Sequence, residues 1–358
     1  MKIYLNKTVL EAAKERISYI FDRFKNIQVS VSGGKDSTTI YHLALQEAIK
    51  RNRKITVMFL DQEAEYENTV TTVRKMMSHP NVVPLWYQVP IYMTNATSYQ
   101  EDQLYAWGEG QEWMREKESN SIHYIEKEYP NRFYNFFKFV EKENDNTAFI
   151  VGLRAEESLD RYRATTKHSG YEDIKWSTKS SNKTSFRFYP LYDWGMGDVW
   201  KYIDDNNIDY NKIYDLMFAN NHSIYNKMRV SNLLHEKSFK CLIDLQALEP
   251  DTFDKLIKRI GGIHTAARYA NENTIYSANE RPKQFKTWKE YRDHLLGTSP
   301  SKHLDRFVKR FNDQGDSELV CKQQCKQLIL NDWENVFTVN TKKKEKIKSN
   351  LEKWKAIL

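Results

Sequence analysis

Ile27-Gln28-Val29-Ser30-Val31-Ser32-Gly33-Gly34-Lys35-Asp36-Ser37 is the stretch that decides the fold. An apolar run with strand character feeds two glycines, and Ser37 then opens a helical pattern that continues to Lys50. A strand, a glycine turn and a helix in that order make a phosphate cradle. The glycines let backbone amides approach an anion, and the helix N-terminus adds partial positive charge. Lys35 is placed to neutralise a phosphate oxygen, while Asp36 and Ser37 are suited to cap the helix or to contact phosphate or metal-bound water. The spacing is not that of a Walker A loop, because position 29 is Val and Asp36 follows the lysine.

Outward from this stretch, strand and helix patterns alternate. Leu10 to Phe24 has apolar residues at helical spacing, and Ile55 to Leu60 is a short buried-strand pattern ending at Asp61. Tyr66 to Ser78 predicts a helix stopped by His79-Pro80. Val82 to Val89 and Ala148 to Leu153 predict two more strands. The expected fold class is α/β, a doubly wound parallel sheet, followed by a mostly helical C-terminal domain. The expected boundaries are 1–205 for the α/β domain, with a helical insertion at about 92–146, and 206–358 for the helical domain with a basic tail. Ser177 to Ser185 is polar and reads as a mobile lid. Asn211 to Phe218, Lys227 to Leu234, Asp251 to Ile260 and Lys286 to Leu296 read as helices, and Lys342-Lys343-Lys344-Glu345-Lys346 as the tail.

The chain has 358 residues, a formal net charge of +7 and 13% aromatic residues, which fits folded domains with anionic ligands or simply a lysine-rich surface. No apolar run approaches the ~18 residues that would cross a bilayer, and the N-terminus has no signal-peptide pattern. Three cysteines suit a reducing compartment. The expected location is the cytoplasm, with no membrane partner.

A second cluster is Gly152-Leu153-Arg154-Ala155-Glu156-Glu157-Ser158, followed by Arg161 and Arg163. In a doubly wound sheet this strand end and the glycine turn emerge on the same edge. Arg154 has the planar fork that grips two anionic oxygens, with a surface ion pair as the alternative. Gly152 permits close approach of a base or ribose. Asp61 ends a strand where a carboxylate holds Mg²⁺, meets a ribose, or caps a helix. Lys167-His168 and Arg229 are further anion contacts or plain surface charges. Gly261-Gly262-Ile263-His264-Thr265 reads either as a second phosphate nest or as a helix C-cap followed by an N-cap. Trp194 and Trp200 either stack a base or pack the core.

Ser32 to Ser37 resembles the PP-loop of the ATP pyrophosphatase superfamily, the adenine nucleotide alpha hydrolase-like fold. Asp61, the Gly152–Ser158 cluster, Tyr189-Pro190-Leu191-Tyr192-Asp193-Trp194 and Asp198-Val199-Trp200 follow in the order seen in the phosphoadenosine phosphosulfate (PAPS) reductase family, over roughly residues 25 to 205. The resemblance implies ATP or PAPS as ligand, with Mg²⁺ carried on the phosphates beside Asp36. It implies a binding set of Ser32, Gly33, Gly34, Lys35, Asp36, Ser37, Asp61, Gly152, Arg154 and Arg161, with Lys35, Asp36 and Arg154 catalytic.

The downstream segments Tyr210-Asn211-Lys212-Ile213-Tyr214-Asp215 and Met228-Arg229-Val230 resemble large sulfotransferase-like members from bacteria and phages, which often accompany a ParB/sulfiredoxin-like protein. The Glu-Cys-Gly-Leu-His string of true PAPS reductases is absent. Cys241 reads as a buried thiol on an apolar helix face. Cys321 and Cys325 share a helix face, as a pair or a partial metal site. Three functions follow as expectations: cleavage of ATP at the α-phosphate to adenylate an acceptor, sulfuryl transfer or reduction from PAPS or adenylyl sulfate, and nucleotide sensing with nucleic acid held by the basic tail.

Overall fold

The computed structural model describes residues 6–94, 103–166, 170–222, 228–230, 232–233, 239–269, 278–335 and 337–340. Helix α1 (Val9–Arg23) starts on a capping box between Thr8 and Glu11 and buries Ala13, Ile17, Ile20 and Phe21. Strand β1 (Asn26–Ser30) leads through the glycine turn into α2 (Lys35–Lys50). Then follow β2 (Ile55–Leu60), α3 (Glu67–Met77) and β3 (Val82–Tyr87). Five of the six β2 residues are buried, as expected for a parallel strand covered on both faces. On α2, Ala44 and Ala48 are fully buried, and such small residues let the helix lie close against the sheet.

The next elements are β4 (Ile91–Thr94) and β5 (Gln103–Ala106), which form a separate two-stranded sheet, and then α4 (Phe133–Lys142) and β6 (Thr147–Val151). Helix α5 (Leu159–Thr166), β7 (Ser177–Lys179), β8 (Phe186–Phe188), α6 (Met196–Asp205) and α7 (Ile213–Ala219) follow. The main sheet has six strands in the order β3-β2-β1-β6-β8-β7, parallel except for the edge strand β7. The chain runs outward from β1 to β3 on one side and returns to β6 on the other. Strand pairs Val29↔Val57 and Val29↔Ile150 place β1 at the centre. The strand order therefore reverses between β1 and β6, where the carboxyl ends of open α/β sheets leave a ligand crevice.

The remaining helices are α8 (Phe239–Leu248), α9 (Pro250–Arg259), α10 (Ile263–Tyr269), α11 (Trp288–Thr298), α12 (Leu304–Gln314) and α13 (Glu318–Ile329). The chain forms two compact units. The first comprises 1–92, 105–232 and 247–252, and the second comprises 93–104, 233–246 and 253–358. Residues 206–222, 228–230 and 232, read from sequence with the helical region, pack in the first unit.

Three expectations need correction. The segment 92–146 is not a helical insertion: α4 is its one α-helix among the described residues. Its aromatics instead pin an irregular chain. Trp107 takes a positive φ of 56°, Trp113 donates to the Gly108 carbonyl at 2.8 Å, and Ile122 bridges to Tyr87 at the sheet edge.

Ser177–Ser185 is a tied hairpin rather than a free lid. The Ser181 amide donates to the Glu141 carboxylate at 3.0 Å, and the Asn182 side chain donates to the Glu141 carbonyl at 2.8 Å. The third concerns 227–234, where Met228–Val230, Asn232 and Leu233 are not helical. No helix among the described residues is long and apolar enough to cross a membrane.

Candidate functional site

The glycine turn is conformationally demanding. Gly33 has φ +68°, and a Cβ there would lie 2.8 Å from Thr69 Cγ2. A Cβ on Gly34 would approach the Tyr214 hydroxyl at 3.2 Å. The turn is held by Ser37, whose hydroxyl donates to the Gly34 carbonyl at 2.8 Å and accepts from the Ser32 amide at 3.2 Å. Asn211 buttresses it from outside, donating to the Gly33 carbonyl at 3.0 Å and to Thr69 Oγ1 at 2.9 Å. Gly34 is the N-cap of α2 and has no side chain to offer. The first helical amide, on Lys35, donates to the Tyr214 hydroxyl at 3.0 Å.

Lys35 is buried, with its ammonium 3.4 Å from both Asp36 Oδ2 and the Met228 carbonyl. Burial pulls its pKa below the ordinary lysine value; the Asp36 carboxylate opposes that, and Arg154 and Arg229 reinforce it. Gly152 ends the neighbouring strand so close that a Cβ would meet the Asp36 carbonyl oxygen at 2.7 Å. The two clusters singled out in the sequence therefore meet at the switch between β1 and β6.

Arg154 is 1% exposed, and its guanidinium is committed to carboxylates: Nε to Asp36 at 2.5 Å and Nη1 to Glu156 at 2.9 Å. Glu157 lies 3.9 Å from Nη2 and pairs with Arg161. Neither open alternative from the sequence fits this placement. Arg154 is not a surface ion pair, and it does not present a free fork to an anion. It fixes Asp36, which in turn holds Lys35. Burial lowers the Arg161 pKa, followed by repulsion from Arg229. Arg154 and Arg229 thus act as like charges on both Lys35 and Arg161.

Asp61 departs from its expected role. Its side chain is fully buried, with Oδ1 accepting from the Glu63 amide at 2.9 Å. Oδ2 accepts from Trp86 Nε1 at 2.8 Å, Gln88 Nε2 at 2.9 Å and Arg115. A carboxylate so enclosed joins the strand ends and does not reach Mg²⁺ or a ribose. Two residues on, Glu63 accepts the amides of Trp107 and Met114 at 2.8 and 3.0 Å. Glu65 is buried, and desolvation followed by the Asp61 charge raises its pKa to about 8.

Comparison with known proteins follows this geometry. The phosphoadenosine phosphosulfate reductase domain matches residues 26–268, about two thirds of the chain and further than the sequence resemblance reached. The chain belongs to the PAPS reductase family. A second match, to the domain of unknown function DUF3440, covers residues 223–329. The uncharacterized protein YbdN of Escherichia coli is 27% identical over 324 residues, covering 86% of this chain and 79% of that one. An adenosine 5'-phosphosulfate reductase of Lysinibacillus sphaericus is 26% identical over 160 residues, covering 45% of this chain and 57% of the reductase. Among solved structures, the PAPS reductase of Candida auris in its phosphate complex aligns with TM-score 0.34 and 16% identity, over 60% of this chain and 94% of that one.

The PAPS reductase family is one of nucleotide-binding enzymes of PP-loop type, and the glycine turn of this chain resembles the PP-loop. Within that family the two cysteines whose side chains are described are unsuited to nucleophilic work. Cys321 and Cys325 lie on α13 as the spacing predicted, but both are fully buried. Burial raises both thiol pKa values, that of Cys325 to about 12, which keeps them protonated. Among the described residues no group of three metal-ligating side chains forms. The Cys241 side chain, Lys167, His168 and the 342–346 tail lie outside the described residues.

Trp194 is core, donating to the Val9 carbonyl at 3.0 Å, and Trp200 packs edge-on against Tyr214. Gly261-Gly262 lies between the end of α9 and the seven-residue α10, the plain cap reading. The sequence reading gave Asn211 and Tyr214 no role. Each acts on a turn nearly 180 residues away, and the sequence carried them only within the Tyr210–Asp215 segment quoted for its resemblance.

Proposed function

We propose that this chain binds ATP at the PP-loop and cleaves it between the α- and β-phosphates, releasing pyrophosphate and activating an acceptor by adenylation. The observation that carries this reading is the buried Lys35 at the N-terminus of α2, beside two glycines whose turn leaves no room for a Cβ on Gly33. A sealed cation next to helix amides is an arrangement for a multiply charged anion and serves no packing need. In this reading Ser32 to Ser37 hold the leaving pyrophosphate and Lys35 offsets its growing charge. Arg229, which is exposed, and Arg161 supply positive field at the rim.

Arg154 is a positioning residue that keeps Asp36 fixed. Asp36 keeps partial exposure and a loose 3.4 Å contact at Oδ2, so its carboxylate fits a Mg²⁺ ion held mainly by the nucleotide. Such an ion, when bound, screens the phosphate charges. The buried thiols take no part. Their inertness also supports a second reading consistent with family membership: a sulfuryl group passed from PAPS or adenylyl sulfate to an acceptor other than a protein cysteine.

The test is nucleotide binding by calorimetry, with ATP, adenylyl sulfate and PAPS in parallel. Lys35→Ala should weaken the preferred nucleotide about a hundredfold. Full-strength binding by that variant removes the site from consideration, and preference for a 3′-phosphate favours the second reading.

A further inference from the structure

We infer that Tyr214 is part of the anion site itself: its hydroxyl caps the first amide of α2 and donates its own proton to an oxygen of a bound pyrophosphate group. The inference rests on the reading of the PP-loop as a phosphate site, and it adds a contact from α7 at the far end of the first unit's sequence.

Tyr214 is 2% exposed and its hydroxyl oxygen accepts from the Lys35 amide at 3.0 Å. Among the described residues this is the hydrogen bond recorded at that hydroxyl, and it uses the oxygen as acceptor. A phenol in that position has one proton left to donate. Its surroundings say where. The hydroxyl lies against Gly34, the Lys35 ammonium is 5.5 Å from the ring centroid, and the charges of Asp36, Arg229 and Arg154 all act on it.

A buried polar donor with no acceptor among the described residues is costly, and here it stands at a positive helix terminus where an anion completes it. Burial keeps the group a phenol, above its ordinary titration range. The ring is also held in place: Trp200 packs edge-on at 5.3 Å, and Asn211, three residues earlier, is tied to the turn. A phenylalanine would fill the same volume, so ring packing alone does not call for the hydroxyl.

The experiment compares inorganic pyrophosphate binding to wild type, Tyr214→Phe and Lys35→Ala, with the melting temperature of each protein measured without ligand. Tyr214→Phe is expected to weaken pyrophosphate about tenfold or more, the effect of one hydrogen bond to a charged group. A Tyr214→Phe protein that melts lower yet binds pyrophosphate within twofold of wild type, while Lys35→Ala does not bind, overturns the inference and leaves the site standing. Unchanged binding by both variants, or none by wild type, brings down the phosphate-site reading and the inference with it. Fluorotyrosine at position 214 keeps the hydroxyl and the fold should Tyr214→Phe prove unstable. Its fluorine resonance should move on adding pyrophosphate, and a resonance that stays put counts against the contact.

Discussion

Two turns leave the same edge of the same sheet, one after β1 and one after β2, and they use charge in opposite ways. The first, Ser32–Gly34, brings glycines, a helix terminus and the buried Lys35 together. The second, Asp61–Tyr66, contains three acidic side chains, and protein donors enclose the first two. Asp61 collects Trp86, Gln88, Arg115 and the Glu63 amide, while Glu63 collects two amides from the segment after β5. Glu65 instead holds its proton into the neutral range. Neighbouring strand ends thus carry the proposed ligand site and an enclosed acidic turn side by side. What separates them is the sign of the charge buried: Lys35 beside a helix N-terminus in the first, carboxylates in the second.

The comparison breaks most visibly at Asp61. Asp61→Ala strands the indole, the amide and a guanidinium in a buried space, which should cost roughly 3–5 kcal/mol of stability. Urea unfolding measures that, and any folded fraction should keep its nucleotide affinity. Near-wild-type stability with lost binding would place Asp61 in the site after all.

Gly33→Ala strikes the other turn. A left-handed alanine and a Cβ pressed on the fully buried Thr69, itself bonded to Asn211, should together cost about 2–3 kcal/mol. Nucleotide binding should weaken along with stability, because in the proposed site the backbone of this turn holds the phosphates.

A third variant sharpens the contrast through pH. Glu65 has a folded pKa of about 8 against an ordinary value of 4.5, so the folded state holds a proton that the unfolded chain has released. Its contribution is present in full below 4.5 and is lost as pH rises through about 8. Glu65→Gln should remove that slope and be the more stable protein at pH 9. Parallel wild-type and variant stability profiles from pH 5 to 9 would show that Glu65 is ionised throughout.

The local parts of the architecture were legible because they rest on local chemistry. Ile55–Leu60 appears in the structure with the predicted boundaries, and α1, α3 and β6 lie within a residue or two of theirs. The 92–146 segment was misread because scattered aromatics suggest buried helices. Here Trp107 and Trp113 anchor an irregular chain through single hydrogen bonds, which leave no periodic trace. The Ser177–Ser185 hairpin misled for a similar reason, its polar residues being bonded to Glu141 and Asn144 rather than to water.

What the sequence determined by itself is the phosphate-type turn and the parallel sheet that presents it, since strand, glycines, lysine and helix are contiguous and their conformations follow from neighbours along the chain. Tertiary structure alone decided which charges remain available to a ligand. Arg154 proved committed to Asp36, Asp61 enclosed, and the first amide of α2 capped by a tyrosine 179 positions away. Those outcomes depend on desolvation and on partners brought together only by folding, so no local pattern records them.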